Sequence, residues 1–262
     1  GIIGKDNASS LVLEGLKKLE YRGYDSAGIA SFYQKSIQVA KSEGKLVNLI
    51  NKVNDLTKDN LYYDTSIALG HTRWATHGNI NIKNAHPLTS ENRVAVVHNG
   101  IIENYASIKK TLESEGYVFT SQTDTEVLPH LFNKYLKKGH DFLQAGRLVL
   151  KDIKGAFAFV AICLDFPDQL FVSRNSSPLA IGLGEGSNFV GSDAQSINHL
   201  TNKIIYLEDG DYALIKVNNI EIFDNESNKI DRKIINVQSE LGLITKGGYK
   251  HFMEKEIYEQ PS

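Results

Sequence analysis

The chain has 262 residues, 41% of them hydrophobic, with 29 lysines and arginines against 31 aspartates and glutamates. This length and hydrophobic content allow one large or two small domains with a sizeable core, and the net charge of -2 argues against nucleic-acid binding. No apolar run approaches the roughly 20 residues that span a bilayer, so we expect no membrane association. We expect a cytoplasmic location, because no secretory leader is evident and Cys163, the one cysteine, cannot form a disulfide within the chain.

Apolar residues at helical spacing predict two helices before residue 60. The apolar positions of the first helix are Val12, Leu13, Leu16 and Leu19. Those of the second are Leu46, Leu49, Ile50 and Val53. Between these helices, a loop with two glycines at residues 20–28 leads into a strand near Ile29 to Tyr33.

Two short apolar runs in the middle of the chain predict buried strands, and each is followed by a cluster of polar residues. The runs are Ile67–Gly70 and Val94–Val97. The polar residues are His71, Thr72, Arg73, Thr76 and His77 after the first run, and His98, Asn99 and Gly100 after the second. Polar side chains at the ends of buried strands are a common way to build a site on a rigid frame.

The residue types in these clusters suit the binding of a carboxylate and of an oxyanion. Arg73 offers a planar fork of donors that matches a carboxylate, and Thr76 and His77 add donors nearby. Asn99 and Gly100 supply a side-chain amide and an unshielded backbone N–H, a donor set that stabilises an oxyanion. The residue types alone leave a second interpretation open, in which the clusters are capped strand ends with half-buried histidines.

Helices are predicted up to residue 153, and short strands dominate after it. Asn104 predicts the start of a helix that ends at Gly116, residues 123–126 open the next helix, and Phe142–Ile153 form a third. Five β-rich runs follow: Ala156–Leu164, Leu170–Val172, Leu179–Leu183, Ile204–Leu207 and Tyr212–Val217. The glycine-rich residues 182–186 have no following helix or lysine, so we interpret them as a hairpin turn rather than a phosphate loop. This order favours an α+β fold with antiparallel sheets covered by helices.

Several motifs are similar to those of one enzyme family. HTRWATHG (71–78), NAHP (84–87), HNGIIEN (98–104), TDTE (123–126) and EYRGYDSAG (20–28) closely resemble the glutaminase domain of the glutamine–fructose-6-phosphate aminotransferases (isomerising), also called glucosamine-6-phosphate synthases. H-x-R, N-G-x-x-x-N and D-T-E are shared more loosely across the class II glutamine amidotransferases. HTRWATHG, EYRGYDSAG and the late KEIYEQP (255–261) are more specific to the sugar enzymes.

The resemblance implies a fold, a reaction and a set of functional residues. The fold would be a four-layer αββα sandwich of the N-terminal-nucleophile hydrolase type. The reaction would be hydrolysis of L-glutamine to glutamate and ammonia, without a cofactor or a metal. The resemblance implies that the catalytic residues are Asn99, Gly100 and Arg22. It implies that the substrate-binding residues are Arg73, Trp74, Thr76, His77, His86 and Asp124. Arg73 would bind the α-carboxylate of glutamine, and Asp124 would bind its α-amino group.

The resemblance also reveals a difference at the N-terminus. The family opens Cys-Gly-Ile-Val-Gly, with the cysteine as nucleophile and its own α-amine as base, whereas this chain opens Gly1-Ile2-Ile3-Gly4. Gly1 matches the glycine after the cysteine, so we expect the chain as written to bind glutamine without hydrolysing it. Cys163 is no substitute, because its apolar run predicts a buried strand, where a thiolate is disfavoured.

We expect residues 1–237 to form the glutaminase domain and the polar residues 238–262 to begin a linker to an absent sugar isomerase domain. Fructose 6-phosphate would then be a partner only through that domain, and the full-length enzyme would be a homo-oligomer.

Two rival functions remain open. The missing cysteine favours a catalytically silent glutamine-binding or regulatory domain. Four histidines between His71 and His98 suggest a metal-dependent hydrolase, although there is no H-E-x-x-H motif.

Overall fold

The computed structural model describes residues 1–4, 7–33, 36–58, 65–73 and 81–237, apart from the side chain of Arg22. The α-helices of this part of the chain are α1 Ala8–Leu19, α2 Leu46–Lys58, α3 Tyr105–Ser114, α4 Val127–Lys137 and α5 Phe142–Asp152. The strands are β1 Ile2–Ile3, β2 Ser26–Tyr33, β3 Ser36–Glu43, β4 Ile67–Arg73, β5 Leu88–Ser90, β6 Val94–Ile102, β7 Gly155–Cys163, β8 Phe166–Asn175, β9 Ala180–Gly184, β10 Ser187–Gly191, β11 Lys203–Tyr206, β12 Tyr212–Ile215, β13 Ile220–Phe223, β14 Lys229–Ile230 and β15 Ile234–Asn236.

The helices bury the apolar faces that the sequence spacing predicts. In α1 the buried positions include Val12, Leu13 and Leu16, and in α4 they include Leu131 and Phe132. The start of α5 is fixed by a capping box, in which the Asp141 carboxylate accepts a 2.8 Å bond from the backbone N–H of Gln144. The prediction that helices precede residue 153 and strands dominate after it is confirmed.

The strands form two sheets in which every pairing between strands is antiparallel. The first sheet has the order β15-β11-β9-β10-β1-β4-β2-β3, and the second has the order β14-β13-β12-β8-β7-β6-β5. The short β1 lies inside the first sheet, where Ile2 pairs with Phe189 on one side and with Ala68 on the other. Strands late in the chain enter both sheets, so the fold closes only when distant segments meet.

Three apolar layers show that the molecule is a four-layer sandwich. Leu69 and Val97 belong to the layer between the two sheets. Helices α1 and α2 cover the outer face of the first sheet through residues such as Leu16 and Leu49. Helices α3, α4 and α5 cover the outer face of the second sheet, where Phe132 is fully buried. The predicted α+β fold of four αββα layers is therefore confirmed.

The predicted ends of the two central strands are wrong, because both strands continue through their polar residues. Strand β4 runs to Arg73, which pairs with Ser26 of β2, and β6 runs to Ile102, which pairs with Gly155 of β7. Pairing satisfies the backbone groups of an interior strand whatever the polarity of its side chains. The polar residues consequently lie on strands rather than in the loops after them, and their positions are fixed by the sheets.

Two local predictions have different outcomes. Strands β9 and β10 pair across the turn at Glu185 and Gly186, so the interpretation of residues 182–186 as a hairpin is confirmed. Asn104 precedes α3 as predicted, but its side chain makes no hydrogen bond to an N–H of that helix. Instead it bonds the backbone at the end of α5, donating to the Asp152 carbonyl at 2.7 Å and accepting from the Lys154 N–H at 2.8 Å.

Among the residues that the structure describes, no helix is both long enough and apolar enough to cross a membrane.

Candidate active site

A cavity of about 400 Å³ lies where the layer between the sheets changes from apolar to polar. Successive residues of a strand point to opposite faces, so residues two apart share a face. Leu69 and His71 therefore share the inner face of β4, and Val97 and Asn99 share the inner face of β6. Leu69 and Val97 pack in the core between the sheets, and Val97 borders the cavity that His71 and Asn99 line. The two strands thus direct their polar ends into one space.

Arg73 and Asp124 place opposite charges on the wall of this cavity. The Arg73 side chain is buried. Burial lowers the pKa of its guanidinium, while the nearby carboxylates of Asp25 and Asp124 oppose that shift. A buried guanidinium and a carboxylate on one wall can hold a ligand that carries both a carboxylate and an ammonium group.

Asp124 is held by the strand that also carries Asn99 and Gly100. Its Oδ2 atom accepts a 2.7 Å hydrogen bond from the backbone N–H of Ile102 in β6. Asp124 begins a single turn of 3-10 helix, Asp124–Glu126, before α4. The helix therefore begins at TDTE as predicted, although the first turn of that helix has the tighter 3-10 form.

The loop before Asp124 is fixed by a buried carboxylate. Glu126 accepts hydrogen bonds from the backbone N–H groups of Thr120 and Ser121, at 2.9 and 2.7 Å. Burial raises the pKa of Glu126, but these bonds outweigh it and hold that pKa below its usual value. Asn84 adds a second support, since its side-chain oxygen accepts from the Gln122 N–H at 2.8 Å. These hydrogen bonds hold residues 120–122, which lead into the cavity-lining residues Thr123, Asp124 and Thr125.

Asn99 and Gly100 line the cavity from β6. Gly100 has a backbone φ of +121°, and a Cβ atom there would lie 2.0 Å from the Ala156 carbonyl oxygen of the paired strand. Only glycine fits this position, both in conformation and in space. The side chain of Asn99 is exposed to the cavity, and its Oδ1 atom lies 2.7 Å from Nε2 of His71.

Three histidines surround this part of the cavity. The ring of His86 lies 4.5 Å from that of His71 and 6.4 Å from that of His98, measured between centroids. His98 also bonds Oγ1 of Thr125 through Nδ1, at 2.8 Å. Burial lowers the pKa of His71 to about 4 and that of His98 to about 3, and it lowers the pKa of His86 to well below its ordinary value. All three rings are therefore neutral at neutral pH.

Gly1 also lines the cavity, and it is half-buried. The amine donates a 2.7 Å hydrogen bond to the Val190 carbonyl, and the Val190 N–H donates one of the same length to the Gly1 carbonyl. These bonds extend the pairing of β1 with β10 by one residue. Burial lowers the pKa of this amine from 8.0 to about 5, so it is unprotonated at neutral pH.

Cys163 is remote from this chemistry. It ends β7, is fully buried, and belongs to the apolar layer between the second sheet and its helices. Burial raises the pKa of its thiol to about 11, so the thiolate is disfavoured at neutral pH. The prediction that Cys163 is a core residue is confirmed.

Some of the sequence-predicted site residues lie together, and others fall outside the described residues. Arg73, His86, Asn99, Gly100 and Asp124 all line the one cavity. Trp74, Thr76, His77 and the side chain of Arg22 lie outside the described residues.

Sequence reasoning gave no specific role to His71, to His98 or to Thr125, although all three line the cavity. Among the described residues, no group of three or more His, Cys, Asp or Glu side chains is arranged to hold a metal ion.

Solved structures identify the class of protein that has this architecture. Glutamine phosphoribosylpyrophosphate amidotransferase from B. subtilis aligns with a TM-score of 0.71 and 25% identity, covering 87% of this chain and 49% of that one. A structure described as the allosteric regulatory enzyme of purine biosynthesis aligns with a TM-score of 0.72 and 27% identity, covering 87% and 48%. Together with the four-layer sandwich, these similarities define an N-terminal-nucleophile hydrolase fold of the amidotransferase type.

Sequence comparisons identify the family. A profile of the glutamine amidotransferase domain matches residues 71–199, which contain most of the cavity's polar residues. The glutamine–fructose-6-phosphate aminotransferase [isomerizing] of Fusobacterium nucleatum is 49% identical over 266 residues, and that of Acinetobacter baylyi is 47% identical over 264 residues. The chain belongs to the glutamine amidotransferase family. It is covered completely by these alignments and spans 43% and 42% of the two relatives.

Proposed function

We propose that this domain binds L-glutamine in the cavity and serves as the glutaminase part of a glucosamine-6-phosphate synthase. One observation carries the proposal: an arginine, an aspartate, an Asn-Gly donor pair and Gly1 line the same cavity. Glutamine presents an α-carboxylate, an α-ammonium group and a side-chain amide, and each has a chemical counterpart among these groups.

The charged residues orient the amino-acid end of glutamine. Arg73 takes the α-carboxylate in two parallel hydrogen bonds, and Asp124 takes the α-ammonium group. Both lie on fixed backbone, Arg73 at the end of β4 and Asp124 tied to β6 through Ile102. The recognition groups therefore need little rearrangement when glutamine binds.

The donor pair stabilises the reacting end of glutamine. Attack on the side-chain amide carbon makes a tetrahedral oxyanion, which accepts hydrogen bonds from the Asn99 amide and the Gly100 N–H. The intermediate collapses to an acyl-enzyme with release of ammonia, and water then clears the acyl group as glutamate.

The nucleophile in this proposal is a cysteine attached to Gly1, which the 262-residue chain does not carry. A residue attached there begins inside the cavity, because Gly1 is part of its wall. The α-amine of that cysteine is the base that takes the thiol proton.

The larger activity belongs to the part of the relatives that this chain does not cover. The relatives are named for amino transfer to fructose 6-phosphate with isomerisation. We propose that ammonia from the glutaminase site serves that amination in hexosamine biosynthesis, and that residues 238–262, which lie outside the described residues, connect the two activities.

Two measurements test the proposal. Calorimetry on the chain that begins at Gly1 should detect glutamine binding, while an ammonia assay detects no turnover. Adding one cysteine before Gly1 should start ammonia release, and blocking that cysteine with an N-terminal tag should stop it again. With fructose 6-phosphate present, neither chain should form glucosamine 6-phosphate. Steady ammonia release from the unmodified chain, or no release after the cysteine is added, would contradict the proposal.

A further inference from the structure

His71 contacts the side-chain amide of Asn99, to which the proposed function assigns the role of an oxyanion donor. Its Nε2 atom lies 2.7 Å from Oδ1 of Asn99, and it is the one described side chain that hydrogen-bonds to Asn99. The two residues face each other because His71 lies on the inner face of β4 and Asn99 on the inner face of β6. The contact joins the two sheets at the cavity.

The direction of this hydrogen bond determines what Asn99 can do. A side-chain amide has one accepting oxygen and one donating NH₂ group, and these lie on opposite branches of the amide. When His71 donates from Nε2 to Oδ1, the NH₂ group of Asn99 faces the cavity. In the reversed amide the oxygen would face the cavity instead, and it would repel an oxyanion.

The surroundings of His71 leave its ring with a single N–H donor and restrict the direction of that donor. At neutral pH its ring is neutral, because burial lowers its pKa to about 4, and a neutral imidazole carries a single N–H. The ring of His86 packs against it with centroids 4.5 Å apart, and this contact restricts the orientation of the His71 ring.

We infer that His71 is a positioning residue for the oxyanion hole, which keeps the NH₂ group of Asn99 directed at the reacting carbon of the substrate. The inference rests on the proposed function, since it assumes that Asn99 donates to the oxyanion. His71 itself touches neither the oxyanion nor the nucleophile in this scheme. Its effect on the reaction passes through Asn99.

The first test measures the tautomer of His71 and requires no activity. In the 262-residue chain labelled with ¹⁵N-histidine, NMR distinguishes protonated from unprotonated ring nitrogens, and the spectrum of His71→Gln assigns the signals. We expect His71 to be neutral at pH 7 with its proton on Nε2. A proton on Nδ1 alone would overturn the inference, because Nε2 would then accept from a reversed Asn99 amide.

The second test measures coupling between the two residues in the chain with a cysteine added before Gly1. His71→Leu should lower kcat by about 10- to 100-fold, below the full loss expected for a missing oxyanion donor. In the 262-residue chain, where no turnover is expected, it should change the dissociation constant of glutamine by less than about threefold, since ground-state binding is retained. His71→Gln should recover most of the loss, because a glutamine amide carries an N–H at a similar reach. His140→Leu, at a half-exposed histidine away from the cavity, is the matched control and should leave kcat unchanged.

The decisive comparison places His71→Leu in an Asn99→Ala background. With no amide to position, the second substitution should lower kcat by no more than about twofold. Equal losses from His71→Leu in both backgrounds would overturn the inference alone. If Asn99→Ala leaves kcat unchanged, the proposed role of Asn99 is wrong, and the inference is overturned with it. His71→Gln and the tautomer measurement keep the inference testable if His71→Leu does not fold.

Discussion

The carboxylate of Asp124 is bonded to the backbone N–H of Ile102, two residues after Gly100 on the same strand. One strand therefore sets the spacing between the charge assigned to the α-ammonium group and the donors assigned to the oxyanion. The number of bonds between the α-carbon and the side-chain amide limits how far a glutamine side chain can reach. In the proposed function, the backbone of β6 would therefore set the length of amino acid that the site accepts.

Arg73→Lys should weaken glutamine binding by about 1.5–3 kcal/mol, the contribution of a hydrogen bond to a charged group. The substitution keeps the charge but removes the planar fork that matches a carboxylate. Calorimetry on the 262-residue chain measures the effect. Arg147→Lys is the matched control, since Arg147 bonds the Tyr212 hydroxyl away from the cavity. Equal glutamine affinities for Arg73→Lys and the parent would exclude the assignment of Arg73 to the α-carboxylate.

Asp124→Asn should weaken glutamine binding by about 1.5–3 kcal/mol, because the ammonium group loses its counter-charge. The asparagine oxygen can still accept from the Ile102 N–H, so the local backbone should be preserved. Thermal unfolding of the variant checks this point, and Asp168→Asn, at an exposed position of β8, is the control for charge. Unchanged affinity in a folded Asp124→Asn variant would remove Asp124 from the binding site.

Asn99→Ala should lower kcat by about 10²–10³ in the chain with a cysteine added before Gly1, as expected for loss of one oxyanion donor. The dissociation constant of glutamine should change much less, because the donor acts on the transition state. Ammonia release at saturating glutamine gives the first quantity, and calorimetry on the same substitution in the 262-residue chain, where no turnover is expected, gives the second. Asn218→Ala, at an exposed loop position, is the control. A loss of affinity without a loss of kcat would instead assign Asn99 to ground-state binding.

Gly100→Ala should destabilise the fold more than Gly116→Ala does. Both glycines have positive φ angles, +121° and +91°, so alanine is strained at either position. At Gly116 a Cβ atom meets nothing within 4 Å, and we expect a loss of about 1 kcal/mol. At Gly100 it would lie 2.0 Å from the Ala156 oxygen, which adds a clash with the paired backbone. Urea unfolding of both variants measures the difference, and equal losses would contradict the geometry of β6 and β7.

The free energy of unfolding should fall as the pH is lowered from about 6.5 toward 4. The unfolded chain protonates its histidines near pH 6.5, whereas His98 stays neutral in the folded state because burial lowers its pKa to about 3. The unfolded state therefore binds more protons in this window, and each such group contributes a slope of about 1.4 kcal/mol per pH unit. Urea unfolding at several pH values measures the slope, and His98→Asn should reduce it. The same slope in the parent and in His98→Asn would show that His98 is not held neutral.

The helices and the polar cluster could be predicted because their signals are local. The spacing of Val12, Leu13 and Leu16 is sufficient to locate α1, and the residue types of Arg73 and Asn99 indicate their chemistry. Helical periodicity and donor chemistry both depend on residues close together in sequence.

The rest of the site depends on contacts between distant residues. Nothing near Asp124 in the sequence predicts that the Ile102 N–H holds its carboxylate, and nothing near His71 predicts its bond to Asn99. Strand β1 has two residues, too few to show any periodicity. The polar residues at the end of β4 gave no sign in the sequence that the strand continues. The strand is extended by its pairing with β2 and not by the type of its side chains.

The position of β1 has a consequence for how the protein is made. Gly1 and Val190 bond each other across 189 positions of sequence, and β1 lies between β10 and β4. A ribosome delivers the N-terminal residues first, but their partner β10 only after nearly 190 residues have been added. The first sheet can therefore close around β1 only after β10 has been synthesised, late in the production of this domain.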